Sequence, residues 1–351
     1  MYEIAQRQID GGRLASGAGD LLCFAEQERI DIQRDLHTSI VCIEDHTIAS
    51  FWLSGLATDL VLTTQRCILC FMRPLAEQTI LITGVTSGLG LALAQALASK
   101  GATVLLHGRD GKRGLAVLDE IKRRTGNDKL KFYQADLASL RQTSELARQI
   151  ATEHRRLDVL VNNAAVGFGK EGAQRETSQD GYELRFAVNY LAPYLLVEGL
   201  LPLLKDSTPA RIVNVASVGQ APLDFKDIMF EHAYLGVTAY RRSKLAMIAW
   251  TFDLAARLAN TGVTANALHP ASLMPTKMVL ESGWNVMSTV EEGLEATIRL
   301  VTDPALDGVT GKYFDGLREA KANAQAYELE VRSQLAVLTR DLVVTALRRT
   351  A

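Results

Sequence analysis

The chain of 351 residues is 48% hydrophobic and 22% charged with a net charge of −2, the profile of a globular protein of one or two domains. This excludes a disordered or collagen-like chain, and with no basic stripe and no interleaving of aromatic with basic residues it excludes a nucleic-acid-binding one. All four cysteines, Cys23, Cys42, Cys67 and Cys70, precede residue 72. Residues 1–71 hold neither lysine nor proline and carry net −5, against +3 for residues 72–351.

The first 71 residues lack a basic region followed by an apolar run, so no secretory signal is expected and a cytoplasmic location is. Residues 48–64 are apolar and marginally long enough to span a bilayer. They include Asp59, however, a charge that costs ~2.5–3.5 kcal/mol near a helix centre, so a membrane anchor is disfavoured. Cys67-Ile-Leu-Cys70 with Cys23, Cys42, His37 and His46 offers zinc-ligand chemistry, but the spacings match no finger or ribbon and no metal is expected. Met72 stands directly before Arg73-Pro74-Leu75, a natural opening for a folded domain. The expectation is a leader of uncertain structure at 1–71, attached by a misassigned start, and one domain at 72–351 ending in a helical tail.

From Thr79 onward, short β-branched apolar runs alternate with longer amphipathic stretches, the order of βαβ units. Strands are predicted at 79–83, 102–107, 130–135, 157–161, 210–216, 263–268 and about 311–314, and helices at 88–99, 110–124, 139–153, 177–203, 238–260 and 291–302. Runs such as Ile212-Val213-Asn214-Val215 are apolar on both faces, which implies a parallel sheet covered on both sides. The fold class is therefore α/β, a Rossmann-type doubly wound parallel sheet of about seven strands, with ligands at the carboxyl ends of the strands.

The first βα turn reads Thr83-Gly84-Val85-Thr86-Ser87-Gly88-Leu89-Gly90. Its glycines permit backbone angles closed to other residues and let main-chain N–H groups approach a pyrophosphate at the positive end of the next helix. The second strand ends in Gly108-Arg109-Asp110. Glycine stands where an acidic side chain would bind the ribose 2′-hydroxyl of NAD, and Arg109 suits a 2′-phosphate, so NADP(H) is favoured over NAD(H). Further on, Ser217 follows the fifth strand, and Tyr240 and Lys244 stand one helical turn apart with their side chains on one side. An ammonium near a phenol stabilises phenolate, so Lys244 is expected to lower the pKa of Tyr240 and make it a usable acid or base.

These residues carry a resemblance. The chain is similar to the short-chain dehydrogenase/reductases, in the branch of the retinol dehydrogenases and their bacterial relatives, over about residues 74–345. The matching landmarks are the turn at 83–90, Asp136-Leu137, Asn162-Asn163-Ala164-Ala165, Asn189 in Phe186-Ala187-Val188-Asn189-Tyr190, Ser217, Tyr240 with Lys244, and His269-Pro270; the run at 308–316 matches the branch's last strand and tail.

The resemblance implies an NAD(P)(H)-dependent oxidoreductase acting on CH–OH groups. Gly84, Thr86, Ser87, Gly88, Leu89, Gly90 and Arg109 would bind the dinucleotide, with Asp136 and Leu137 at the adenine and Asn162 and Ala164 at the adenosine ribose. Asn189 would prop a water relay to Lys244, Ser217 would polarise the substrate oxygen, and Tyr240 would transfer the proton. Lys244 would hold the nicotinamide ribose, with Pro270 and Thr276 beside the nicotinamide. Ala165 and Ala271 stand where the family usually has glycine, each adding a methyl near the cofactor. Family members often pair through the long helices, which implies a homodimer or homotetramer.

Between Ser217 and Tyr240 the connection is long and carries Phe225, Met229 and Phe230, while Met278 and Trp284 fall where the family has its substrate lid. An apolar wall favours a bulky hydrophobic alcohol or carbonyl as the small-molecule partner. The alternative is a non-catalytic NADP(H)-binding sensor or scaffold on the same fold, which would typically lack the tyrosine. A nucleotide-sugar epimerase would need a larger C-terminal portion.

Overall fold

The computed structural model describes residues 39–44, 47–52 and 72–349. The chain divides into two units, Met1–Ile68 and Leu69–Ala351. In the first, strands β1 (Ser39–Glu44) and β2 (Thr47–Trp52) pair antiparallel, with Ser39 opposite Trp52 and Glu44 opposite Thr47. Part of the stretch weighed as a membrane anchor is thus a strand, and the rest of it lies outside the described residues. The expectations for Cys23, Cys67, Cys70, His37, His46 and the side chain of Cys42 lie outside them too, as do those for the start of the chain.

The second unit is built on an eight-stranded sheet. Its members are β3 (Thr79–Thr83), β4 (Thr103–Gly108), β5 (Leu130–Gln134), β6 (Val159–Asn162), β7 (Ala210–Val215), β8 (Val263–His269), β9 (Tyr313–Asp315) and β10 (Arg318–Ala320). The order is β10-β9-β8-β7-β6-β3-β4-β5, parallel throughout except for β10, which turns back on β9. All seven predicted strands are present within one or two residues of their expected ends. β10 is an addition too short to show a period.

Helices α1 (Gly88–Ser99), α2 (Gly111–Thr125) and α7 (Val290–Thr302) cover one face of the sheet. On the other lie α3 (Leu140–Glu153), α4 (Leu184–Asp206), α5 (Gly236–Arg257) and α8 (Leu329–Arg349). Alternation along each strand divides the core accordingly: Ile80, Ile82, Val104, Leu106, Val159 and Val161 face α1 and α2, whereas Leu81, Leu105, Leu160 and Ile212 face α3, α4 and α5. Caps fix the helix starts, with Asp110 accepting from the Arg113 amide at 3.0 Å and Ser139 from the Gln142 amide at 3.3 Å.

α4 begins seven residues later than the sequence suggests. Gly181, at φ +85°, makes a turn closed to most side chains, and the Glu183 carboxylate then caps the helix by accepting from the Phe186 amide at 2.8 Å. Among the described residues α4 is also the one helix long and apolar enough to cross a membrane, but 67% of its apolar window is buried within the domain. The apolar face of α4 and α5, expected to serve a second copy, is covered in part by α8. Leu335, Thr339, Val343 and Ala346 form a buried stripe, Thr339 shares a 2.6 Å hydrogen bond with Tyr190, and the Tyr182 hydroxyl donates to the Leu342 carbonyl at 2.8 Å.

At the amino ends of the central strands, charges are stapled down. Asp158 accepts from the Thr79 amide at 2.8 Å and from Arg156 Nε at 3.0 Å. Arg211, paired with Asp307, also donates to the carbonyls of Leu300 and Asp303 at 3.0 and 2.7 Å. The carboxyl ends are built differently. The winding reverses at β3, which lies between β4 and β6, and this opens a crevice above the two strands.

Candidate active site

A cavity of about 860 Å³ fills that crevice and runs from Arg109 and Asp110 to Tyr240 and Trp284. Its floor is the glycine turn. Gly84 has φ +73°, and a Cβ there would lie 2.8 Å from the Cα of Ala164; one on Gly90 would lie 2.3 Å from the Gly84 carbonyl oxygen. The segment after β6 is stitched to this turn, since Thr83 Oγ1 accepts from the amides of Asn163 and Ala164 at 2.9 and 3.0 Å, and Asn163 Nδ2 donates to the Thr83 carbonyl at 2.8 Å. The first turn of α1, Gly88-Leu89-Gly90, opens onto the cavity with no side-chain cap from Ser87, so its amides and the positive end of the helix dipole face the space. Thr276 sits opposite, its methyl only 3.0 Å from where a Gly88 Cβ would be.

A dinucleotide fits these walls. The volume is in the range of cofactor sites, the glycine cradle admits backbone contact with phosphate, and Arg109 and Arg113 face one end. Arg113 escaped the sequence reading, although its place four residues after Arg109, in the first turn of a helix, was legible. Asp136 and Leu137 line this end; the Asp136 carboxylate accepts from the Ala138 amide at 3.0 Å and from Gln179 at 3.2 Å.

Asn162 is displaced from its expected place. It lies buried behind the wall, donating to Asn214 Oδ1 at 2.8 Å, and Asn163, Ala164 and Ala165 form the surface instead. The reason is local: Asn162 ends β6 and points between strands, whereas the residues after it leave the sheet. Asn189 is likewise not on the cavity. Fully buried in a wider, π-type turn of α4, it accepts from the Val166 amide at 2.7 Å and donates to the Val166 carbonyl and Ser243 Oγ at 3.0 Å each, so its side chain fastens the segment after β6.

Ser217, Tyr240 and Lys244 meet at the other end of the cavity. Ser217 Oγ accepts from the Gly219 amide at 3.0 Å, and the Ser217 carbonyl accepts from the buried Tyr313 hydroxyl at 3.2 Å. Lys244, 2% exposed, donates to the Val215 carbonyl at 2.7 Å, with Nζ 5.7 Å from the centre of the Tyr240 ring. Burial holds the Lys244 pKa down to about 7. Burial also pushes the Tyr240 phenol above its ordinary value, opposed by a hydrogen bond with Ser217. The expected lowering of Tyr240 by Lys244 is therefore corrected: burial raises the phenol, what opposes it is the hydrogen bond with Ser217, and burial likewise disfavours the charged lysine.

Met278 and Trp284 line the cavity, on and just after α6 (Lys277–Ser282), and Pro270 lies nearby on the wall. Phe225, Met229 and Phe230 do not line it. Phe225 and Met229 pack against the core, and Phe230 lies beneath the Arg242 guanidinium at 4.5 Å. Arg242, donating to the carbonyls of Pro222 and Asp227 at 3.1 and 3.2 Å, draws that connection inward. Phe168, in a segment that carries no motif, lines the cavity beside Tyr240 and Trp284. Among the described residues no cluster of His, Cys, Asp or Glu could hold a metal ion.

Residues 78–284 match the family model for short chain dehydrogenases. Mouse retinol dehydrogenase 13 is 34% identical over 288 residues, 77% of this chain and 85% of that protein. Among solved structures, an uncharacterised protein of Mycobacterium paratuberculosis superposes with a TM-score of 0.63 at 26% identity, covering 78% of this chain and 95% of that one. The RhlG/NADP active-site complex of Pseudomonas aeruginosa gives a TM-score of 0.57 at 26% identity, covering 70% and 97%.

Proposed function

The chain belongs to the short chain dehydrogenase family, oxidoreductases acting on CH–OH groups, and from that premise we propose that it interconverts a bulky hydrophobic alcohol and its carbonyl with NADP(H), Tyr240 moving the proton. The observation that carries this reading is the meeting of Ser217, Tyr240 and Lys244 on one wall of a cavity whose opposite end is a glycine cradle beside two arginines. A nicotinamide dinucleotide, when bound, supplies or accepts the hydride.

The chain's own groups do the remainder. Ser217 Oγ donates a hydrogen bond to the substrate oxygen, the position where negative charge develops during reduction. The phenol of Tyr240 gives its proton to that oxygen as the C=O bond becomes a C–O single bond, and takes it back in the reverse direction. Lys244, when protonated, steadies the phenolate from beside the ring. Gly84, Thr86, Ser87, Gly88, Leu89 and Gly90 bind the pyrophosphate. Asp136 and Leu137 serve the adenine, Ala164 the ribose, and Pro270 and Thr276 the nicotinamide.

Preference for NADP(H) is supported by Arg109 and Arg113 at one end of the cavity, by Gly108 in the place of an acid, and by the P. aeruginosa neighbour, solved with NADP. An apolar substrate is supported by Phe168, Val188, Met278, Trp284 and Met287 on the wall and by a relative named as a retinol dehydrogenase. The test is a screen of aldehydes, ketones and alcohols with NADPH/NADP and NADH/NAD. Turnover of hydrophobic carbonyls with NADPH, lost in Tyr240→Phe, is the expected result; NADPH binding without turnover of any substrate would identify a sensor instead.

A further inference from the structure

The segment at 166–169, between β6 and the approach to α4, belongs to no sequence motif, yet α4, α5 and α6 all bear on it. Asn189 holds both the amide and the carbonyl of Val166. Arg185, 1% exposed, donates Nε to the Gly167 carbonyl at 2.8 Å. Gly236, at the start of α5, lies so near that a Cβ there would come within 2.4 Å of the Phe168 carbonyl oxygen. From the lid side, Met278 fills the space a side chain on Gly167 would need, its Cγ 2.3 Å from that Cβ position.

Phe168 is thus fixed from several directions, and its ring has one outlet, the cavity. It stands edge-on to Tyr240, with centroids 5.6 Å apart at 82°, and packs against Trp284 at 4.6 Å and 36°. Phe168 is 6% exposed and Trp284 is 43% exposed, so the inner ring is part of the scaffold and the outer one part of the rim. A substrate whose oxygen reaches Tyr240 and Ser217 must lay a neighbouring substituent along these rings. A hydrated or charged substituent would surrender its water to the carbon faces of these rings, whereas an alkyl or polyene chain gains from the contact.

We propose that Phe168 is a specificity-determining residue of this site, forming with Trp284 an aromatic wall that selects alcohols and carbonyls bearing a long apolar chain on the reacting carbon. This rests on the reading of the site as an alcohol/carbonyl oxidoreductase.

The test compares decanal with propanal, which present the same reactive group on chains of different length. In Phe168→Ala the ratio of kcat/KM for decanal to that for propanal falls by at least about tenfold, through a higher KM for decanal, and Phe168→Leu recovers most of it. A ratio unchanged in Phe168→Ala overturns the proposal. If the wild type turns over neither aldehyde, the reaction reading fails and the wall is judged by binding alone. Decanol then quenches tryptophan emission in the wild type but not in Trp284→Phe, with the midpoint raised about tenfold in Phe168→Ala; an unmoved midpoint overturns the wall as well.

Discussion

Lys244 Nζ donates to the carbonyl oxygen of Val215 at 2.7 Å, which ties α5 to the strand that runs into Ser217. Burial holds this lysine to about 7 and raises Tyr240 above the ordinary phenol value. Across the neutral range the phenol therefore keeps its proton, ready to give it in reduction, while oxidation requires that proton to be lost first. Reduction at saturating cofactor should be level up to about pH 7 and fall above it as Lys244 loses the charge that steadies the phenolate, and oxidation of the corresponding alcohol should climb up to about pH 7. Measuring both initial rates checks this, and a level oxidation profile contradicts it.

Replacing Tyr240 with phenylalanine removes the proposed proton donor and keeps the ring that touches Phe168. We expect kcat to fall by about 10²–10⁴-fold, the usual contribution of general acid–base catalysis. NADPH affinity, followed by fluorescence titration, should change little by comparison.

His107 makes the fold sensitive to acid. It is 2% exposed, its Nε2 lies 3.1 Å from the Ala135 carbonyl oxygen, and its Nδ1 has no partner. Burial chiefly lowers its pKa from 6.5 to about 4. Between those values the unfolded chain binds the proton and the folded chain does not, so stability falls as pH drops through that window. Urea unfolding at pH 5 against pH 7 should show a loss of about 2 kcal/mol from this residue, absent in His107→Leu. An equal acid loss in both proteins would assign it elsewhere.

Arg185 is buried with Glu183, their atoms 3.3 Å apart, and also reaches Glu176 at 3.4 Å. Arg185→Ala leaves the Glu183 carboxyl without its cation and frees the Gly167 carbonyl. A loss of about 3–5 kcal/mol is expected, the range for stripping one partner from a buried pair, read from the denaturant midpoint at constant m-value.

At the glycine cradle the sequence and the structure agree most closely. Gly90→Ala would bring a Cβ to 2.3 Å from the Gly84 carbonyl oxygen and 2.5 Å from Asn163 Nδ2, and the first of these belongs to the backbone and cannot turn aside. Dinucleotide affinity and melting temperature should fall together. Arg109→Ala is the opposite case, weakening NADPH by roughly tenfold with little effect on NADH or on the unfolding midpoint.

Period and caps made most of the fold legible. Seven strands, the starts of α2 and α3, the glycine turn and the Tyr240–Lys244 spacing were all local in sequence. The early start assigned to α4 overlooked Asp180-Gly181, a turn signal outweighed by the apolar pattern after it. Phe225, Met229 and Phe230 have the composition of a substrate wall, but composition does not distinguish a cavity from a core, and Arg242 settles the matter through bonds to Pro222 and Asp227 that only the folded chain shows. Phe168 escaped for the converse reason: its place depends on α4, α5 and α6 converging on a segment without a pattern. Burial of Tyr240 and Lys244, which reverses the expected shift of the phenol, is likewise a tertiary effect.

The placement of Asp158 and Arg211 at the amino ends of the strands bears on how this scaffold can change. They stand about 15 Å, one strand length, from the residues proposed to carry the chemistry. Substitutions at the two edges share no partner, so their free energies should add. The molecule therefore has one border on which resilience can be adjusted and another on which new substrates can be tried. Variants with a reshaped wall around Phe168 and Trp284 can be made on a background strengthened beside Arg156 and Asp307 without either change obscuring the other.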